Sequence, residues 1–392
     1  MSPGPMPFVD LGAQRRHLGR RLDVAIERVL AHGRFIMGPE VAELEAELAR
    51  WGGVRAAVSC GSGTEALLMP LMAWGVCAGD AVFVPAFTFP ATAEVASLLG
   101  ATPVFVDVRE ETFNMDVESL KRALNHAHEL GLRPRVVISV DLFGQPADYA
   151  AISPVAQEAG LLLLADAAQS FGASYLGRPV GSFGDATATS FFPAKPLGCY
   201  GDGGAVLTDD EALADVIRSV RNHGEGIAKY DTVRTGINGR LDTIQAAVLL
   251  EKLGIFGEEL EARNHVAARY SEALCDRAVT PTLLSGATSS WAQYTLQVPD
   301  RDRLVSDLKR SSIPTAVHYP KPLHHQPAYA DGLIPPGGLR VAESLSRRVV
   351  SLPMHPYLEA PAQAEVIDAV LASLNDMARV EPPVPPHSAE HA

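Results

Sequence analysis

Lys195 stands in unusual company for a lysine. It follows Phe191-Phe192-Pro193-Ala194 and precedes Gly198, Gly201, Gly203 and Gly204. Lysines mostly occupy polar surfaces and reach for water. An amine between aromatic rings and a close-packing glycine loop loses hydration, which lowers its pKa and makes it a better nucleophile toward a carbonyl. A surface turn is the competing reading. Asp166 offers matching chemistry. It ends the apolar run Leu161-Leu162-Leu163-Leu164-Ala165, and a carboxylate at a buried strand end needs a cationic or N–H partner. Gln169 lies within reach of the same ligand, although Asp166 could instead cap the turn at 167–171. Gly61-Ser62-Gly63-Thr64 reads as a strand-to-helix turn whose N–H groups could hold a phosphate. A purely structural turn with Thr64 as N-cap fits as well. Phe87 and Phe89 could stack on a planar ring or pack into the core.

One cofactor needs all of these groups. Pyridoxal 5′-phosphate (PLP) requires a lysine, a carboxylate for its ring nitrogen, an anion nest and a flat apolar wall. The candidates are Lys195, Asp166, Ser62-Gly63-Thr64 with Ser190, and Phe89.

The elements that must position them form an α/β pattern. Apolar spacing predicts a helix from Arg16 to Leu30 carrying Leu18, Leu22, Ala25, Ile26 and Val29, stopped by Gly33. Gly38-Pro39 opens a second, with Val41, Leu44 and Leu48 inward and Glu43, Glu45 and Glu47 mostly outward. Strands are predicted over 55–60, 81–85, 103–106, 135–140, 161–166, 186–191 and 204–208, alternating with helices. That alternation argues for a mostly parallel sheet covered on both faces, with ligands at the carboxyl ends of its strands. Helices over 244–255 and 258–274, then a strand over 291–298, lead into a smaller α+β part. The expected division is a large cofactor-binding domain with an N-terminal arm (1–254), a small domain (255–378) and a disordered tail (379–392).

Bulk properties narrow the class. A net charge of −13 over 392 residues argues against broad nucleic-acid binding. Cys60, Cys77, Cys199 and Cys275 form no CxxC pair, which suggests a reducing compartment and no structural zinc. No signal peptide and no membrane-spanning run is visible, so a cytoplasmic location is expected. His324 and His325 read as a polar loop. With no second ligand set at metal spacing, no metal is expected.

The motifs, taken in order, carry a resemblance. They are Gly33-Arg34-Phe35-Ile36-Met37-Gly38-Pro39-Glu40-Val41, Ser62-Gly63-Thr64-Glu65-Ala66-Leu67, Phe87-Thr88-Phe89-Pro90-Ala91-Thr92 and Asp166-Ala167-Ala168-Gln169-Ser170. The Lys195 loop, Arg221-Asn222-His223-Gly224, Asn238-Gly239-Arg240-Leu241-Asp242 and His318-Tyr319-Pro320 follow. Together they resemble the DegT/StrS-type PLP-dependent nucleotide-sugar aminotransferases, of the aspartate-aminotransferase fold (PLP fold type I). The resemblance implies that Lys195 carries PLP, Asp166 faces its ring nitrogen, Gln169 lies beside the ring and Phe89 stacks on it. Ser62, Gly63, Thr64 and Ser190 would hold the phosphate, and Asn238 would reach the neighbouring subunit's cofactor, making the active site a property of a homodimer.

The Lys195 loop, Pro314–Pro320 and Ser351–Tyr357 look most like the subgroup that aminates UDP-2-acetamido-2-deoxy-3-oxo-glucuronate with L-glutamate for surface polysaccharide synthesis. Both substrates are carboxylates, so an arginine is wanted. Arg240 is the first candidate, with an interface salt bridge as its alternative. His318, Tyr319 and, more weakly, His223 are candidate substrate contacts. A 4-oxo-6-deoxy sugar nucleotide as substrate, or a non-catalytic PLP-binding regulator, are the other readings.

Overall fold

The computed structural model describes residues 6–228 and 230–380. The chain opens with helices α1 (Leu11–Leu18), α2 (Arg20–His32) and α3 (Pro39–Gly52). The single helix expected over 16–30 is two, because Gly19 adopts φ 57° and breaks it. Gly33 stops α2 in a left-handed conformation, its N–H donating to Val29 O.

The alternating part follows. It runs β1 (Ala56–Cys60), α4 (Gly63–Ala73), β2 (Asp80–Pro85), α5 (Ala91–Leu98), β3 (Thr102–Val106), α6 (Val117–Glu129), β4 (Arg133–Val140), α7 (Tyr149–Glu158) and β5 (Leu162–Asp166). After the two-residue strands β6 (Ser174–Tyr175) and β7 (Arg178–Pro179) come β8 (Ala186–Ser190), β9 (Gly204–Thr208) and α8 (Glu211–Arg221). The main sheet has seven strands in the order β1-β9-β8-β5-β4-β2-β3. Only β9 runs against the rest. The carboxyl ends of the other six therefore share one edge.

Alternation along each strand separates the two covered faces. Val82, Val84, Ile138 and Leu164 pack with α4, α5 and α8. Ala81, Phe83, Val137 and Leu163 pack with α6 and α7. The uncharged run of β5 is apolar on both sides for that reason, and its first charge, Asp166, falls where the strand leaves the core.

The C-terminal part comprises α9 (Thr243–Leu274), β10 (Tyr294–Gln297), α10 (Arg301–Arg310), α11 (Arg340–Arg348), β11 (Val349–Leu352) and α12 (Ala360–Val380). The two helices expected over 244–255 and 258–274 are one. Gly254 and Gly257 do not interrupt α9, and the apolar face continues through Leu253 and Phe256 against α3. Its second half joins β10, β11, α10 and α12 in a separate apolar cluster. The helix thus runs unbroken through position 254. Only 294–297 of the expected strand 291–298 is paired. Helix α12 reaches Val380, two residues into the expected tail; 381–392 and 1–5 lie outside the described residues. Glu45 turns inward, accepting from Ser59 and from Arg221, because burying that arginine demands a counter-charge. Among the described residues, no helix is long and apolar enough to cross a membrane.

Candidate active site

Five loops at the carboxyl edge bring the candidate residues together. Lys195 lies in the loop between β8 and β9, its N–H donating to Phe192 O at 2.8 Å. Phe191 beneath it is fully buried, whereas Phe192 is exposed. Burial pushes the Lys195 ammonium pKa down, and the charge of Asp166 acts against that shift. Asp166, at the end of β5, is itself buried. Burial raises its carboxyl pKa, opposed by the Ala168 N–H, the Lys195 charge and the Thr92 hydroxyl. The Ala168 N–H lies 3.1 Å from Oδ1 and Thr92 Oγ1 3.3 Å from Oδ2. The amine and the carboxylate are electrostatic partners across the edge.

Neighbouring loops hold the surrounding groups. Gln169 is locked from two sides: its Oε1 accepts from the Phe143 N–H at 2.8 Å, and its Nε2 donates to the Tyr319 hydroxyl at 3.3 Å. The Tyr319 ring sits 6.1 Å from Phe87 and 6.4 Å from Phe89, centroid to centroid. Phe87 is core, whereas Phe89 is 56% exposed and free to cover a planar ligand. The His318-Tyr319 peptide is cis. His318 Nδ1 lies 3.2 Å from Ser351 Oγ. Burial, then the Lys195 charge, pushes the His318 imidazole pKa down.

The anion nest forms at the start of α4. Ser62, in extended conformation, is the N-cap and accepts from the Glu65 N–H at 3.1 Å, so Thr64 is not the cap. That leaves the Gly63 and Thr64 N–H groups at the free helix N-terminus. Register brings Ser190 alongside, since Gly204 of β9 pairs with Cys60 on one side and Ser190 on the other.

A second group stands apart. Asn238 is exposed and bridges by backbone to Asn222. Arg240 Nη1 donates to Asn222 Oδ1 at 2.7 Å, while its Nε is buried without a hydrogen-bond partner among the described residues. His223 is exposed with φ 57°. The Gly61 N–H donates to Gly239 O at 3.1 Å and ties this segment to the nest. No hydrogen bond or ion pair among the described residues joins it to Lys195.

Two supporting residues escaped the sequence reading. Thr92 stood in a quoted motif without a role. Lys252 interrupts the apolar face of α9, and that was its only signal. It is fully buried, and its Nζ donates to Gly198 O at 2.5 Å, so it clamps the Lys195 loop from below. Burial pushes its pKa down to about 8. His324 and His325 are not a plain polar loop: they form a 3₁₀ turn on the buried Leu323.

A mostly parallel sheet with a partly buried lysine and a buried carboxylate at its carboxyl edge suits an α/β enzyme of carbonyl–amine chemistry. The chain belongs to the DegT/DnrJ/EryC1/StrS aminotransferase family, whose profile matches residues 17–371. It is 45% identical to UDP-2-acetamido-2-deoxy-3-oxo-D-glucuronate aminotransferase of Pseudomonas aeruginosa, over 93% of this chain and 99% of that protein. It is 40% identical to dTDP-3-amino-3,4,6-trideoxy-alpha-D-glucose transaminase of Streptomyces venezuelae, over 93% of this chain and 95% of that one. A crystal structure of a DegT DnrJ EryC1 StrS aminotransferase from Brucella abortus superposes with a TM-score of 0.93 at 52% identity, covering 94% of this chain and 99% of that one.

Proposed function

We propose that this protein is a PLP-dependent aminotransferase that moves the amino group of L-glutamate onto UDP-2-acetamido-2-deoxy-3-oxo-D-glucuronate. The observation that carries the reaction class is the Lys195–Asp166 pair, a partly buried amine at the same sheet edge as a buried carboxylate and near enough for their charges to interact. The 45% identity to an enzyme named for that substrate supports the sugar.

The residues present fit the cofactor. Asp166 keeps carboxylate capacity for a ring nitrogen: among the described residues its oxygens accept from one N–H and one long hydroxyl contact. A β-carbon on Gly63 would fall 2.6 Å from Ser190 Cβ, so this cradle is shaped for backbone N–H groups and a hydroxyl. In our reading Ser62, Gly63, Thr64 and Ser190 hold the phosphate, Phe89 covers the ring and Gln169 lies beside it. Bound there, PLP supplies an electron sink for the carbon that loses a proton.

The chain's own groups then divide the work. Lys195 anchors the cofactor and, once released, its Nζ takes the proton from the α-carbon of the amino donor. Its lowered pKa leaves more neutral amine to act as base at neutral pH. Asp166 holds a proton at the ring nitrogen. Arg240, whose Nε has no hydrogen-bond partner among the described residues, offers charge-assisted pairing to a substrate carboxylate. His318, Tyr319 and His223 line the sugar's approach.

We read the assembly as a homodimer with shared sites. Phe35, Ile36, Met37, Phe192 and Tyr200 are exposed apolar side chains that a second copy would cover. The exposed Asn238 would reach the cofactor phosphate of the partner chain. Four free cysteines fit a cytoplasmic setting.

The test supplies purified enzyme with L-glutamate and the 3-oxo-uronate nucleotide, and identifies product by mass and NMR. A 3-amino sugar nucleotide with equimolar 2-oxoglutarate is expected. Preferential turnover of a neutral 4-oxo-6-deoxy sugar would overturn the substrate assignment. Bound PLP that glutamate never converts to its amine form would overturn the enzymatic one.

A further inference from the structure

Outside the Lys195 pocket, His324, His325 and Glu343 offer ligand atoms that all lie within 4.8 Å of one another. The two histidines end a 3₁₀ turn, and Glu343 lies on α11, eighteen or nineteen positions further along. That separation hides the cluster from spacing rules. Glu343 Oε1 stands 3.2 Å from His324 Nε2 and 3.7 Å from His325 Nε2. Ligand atoms placed 2.0–2.1 Å from a tetrahedral zinc ion are about 3.4 Å apart. Both carboxylate–nitrogen separations are thus close to the one that such an ion imposes, and all three ligand atoms lie within 4.8 Å of one another.

We propose that His324, His325 and Glu343 form a binding site for a divalent transition-metal ion of the zinc type. Two imidazoles and one carboxylate suit a borderline-soft dication, with the fourth position open to water. A plain ion-pair reading is weaker. The neutral Nε2–H tautomer of His324 would by itself satisfy one hydrogen bond to Glu343, but it leaves His325 Nε2 3.7 Å from that carboxylate, beyond hydrogen-bond reach. One dication engages all three groups.

The surroundings prepare the site. Asp107 accepts from the Val341 and Ala342 N–H groups at 3.0 and 2.9 Å and so fixes the start of α11. The segment that carries the two histidines is held from the other direction. The Leu323 N–H donates to Ala86 O at 2.8 Å, and the Tyr329 hydroxyl donates to Pro90 O at 3.2 Å. Those two contacts clamp the loop that carries Phe89, and Tyr319 lies four residues before Leu323. A metal ion here would staple α11 to one wall of the active site without touching the reacting atoms.

The test is calorimetric titration of tag-free holoenzyme with zinc chloride, alongside His325→Ala and Glu343→Gln. Both residues are partly exposed, and unchanged PLP absorbance verifies that each variant is folded. One zinc equivalent per chain is expected, weakened about tenfold or more in each variant. No saturable zinc binding, or affinity unchanged in both variants, would overturn the proposal. Neither outcome depends on which sugar is aminated.

Discussion

Gly63 and Ser190 meet across the first residue of β9 so closely that a β-carbon on Gly63 would lie 2.6 Å from Ser190 Cβ. The clash is with a side-chain root, which no rotamer change relieves. Overpacking of this kind costs about 1–3 kcal/mol. Gly63→Ala should therefore loosen PLP about 10- to 100-fold while the chain stays folded. Absorbance titration of cofactor-free enzyme with PLP measures this; unchanged affinity would mean the phosphate sits elsewhere.

Asp166→Asn keeps the volume of the side chain and removes its charge. The amide cannot stabilise a protonated ring nitrogen. Turnover should fall about 10²- to 10⁴-fold, while PLP still loads onto Lys195 and absorbs in the visible. Single-turnover rates with glutamate separate this chemical defect from lost binding.

Arg240→Lys keeps the positive charge but loses the planar fork. If Arg240 pairs with the uronate carboxylate, kcat/KM for that sugar should drop about 10- to 100-fold, in line with a charged hydrogen bond of about 1.5–3 kcal/mol. A neutral keto-sugar should show no comparable loss. An equal loss on both would assign Arg240 to structure, through its bond to Asn222.

Asp141 gives a pH signature beside the site. Its carboxylate accepts from Ala147 N–H, Tyr149 hydroxyl and Ser170 hydroxyl, and its own N–H donates to Asp166 O. Burial nonetheless pushes its pKa up to about 7 from 3.8. Between those values the native state holds a proton that the unfolded chain has released. Stability should therefore fall as pH rises from about 4 to 7, by at most about 1.4 kcal/mol per pH unit from this group. Asp141→Asn should flatten that part of the dependence. Thermal midpoints of both proteins across the range check it; parallel curves would refute it.

Local sequence determined several features by short-range physics. Four leucines and an alanine without a charge make a strand buried on both faces, and the chain leaves the core at Asp166. Ser62 before Gly63-Thr64-Glu65 makes a helix N-terminus with free N–H groups. The glycines after Lys195 let β9 turn back beside Ser190. Apolar period and capping chemistry act over a few residues, so they are legible in one dimension.

Tertiary structure decided the partners. The Gln169 side chain accepts from the Phe143 N–H and donates to the hydroxyl of Tyr319, 150 positions away. Lys252, a charge on the apolar face of the first half of α9, became the clamp under Gly198 only when that helix packed beneath the loop. The same helix stayed whole through Gly254 and Gly257 because a continuous buried face outweighs the weak helix propensity of two glycines. Glu343 joined His324 and His325 only once α11 folded back. Contacts of this kind depend on how crossovers bring distant segments to one edge of the sheet, and no spacing in the sequence encodes that.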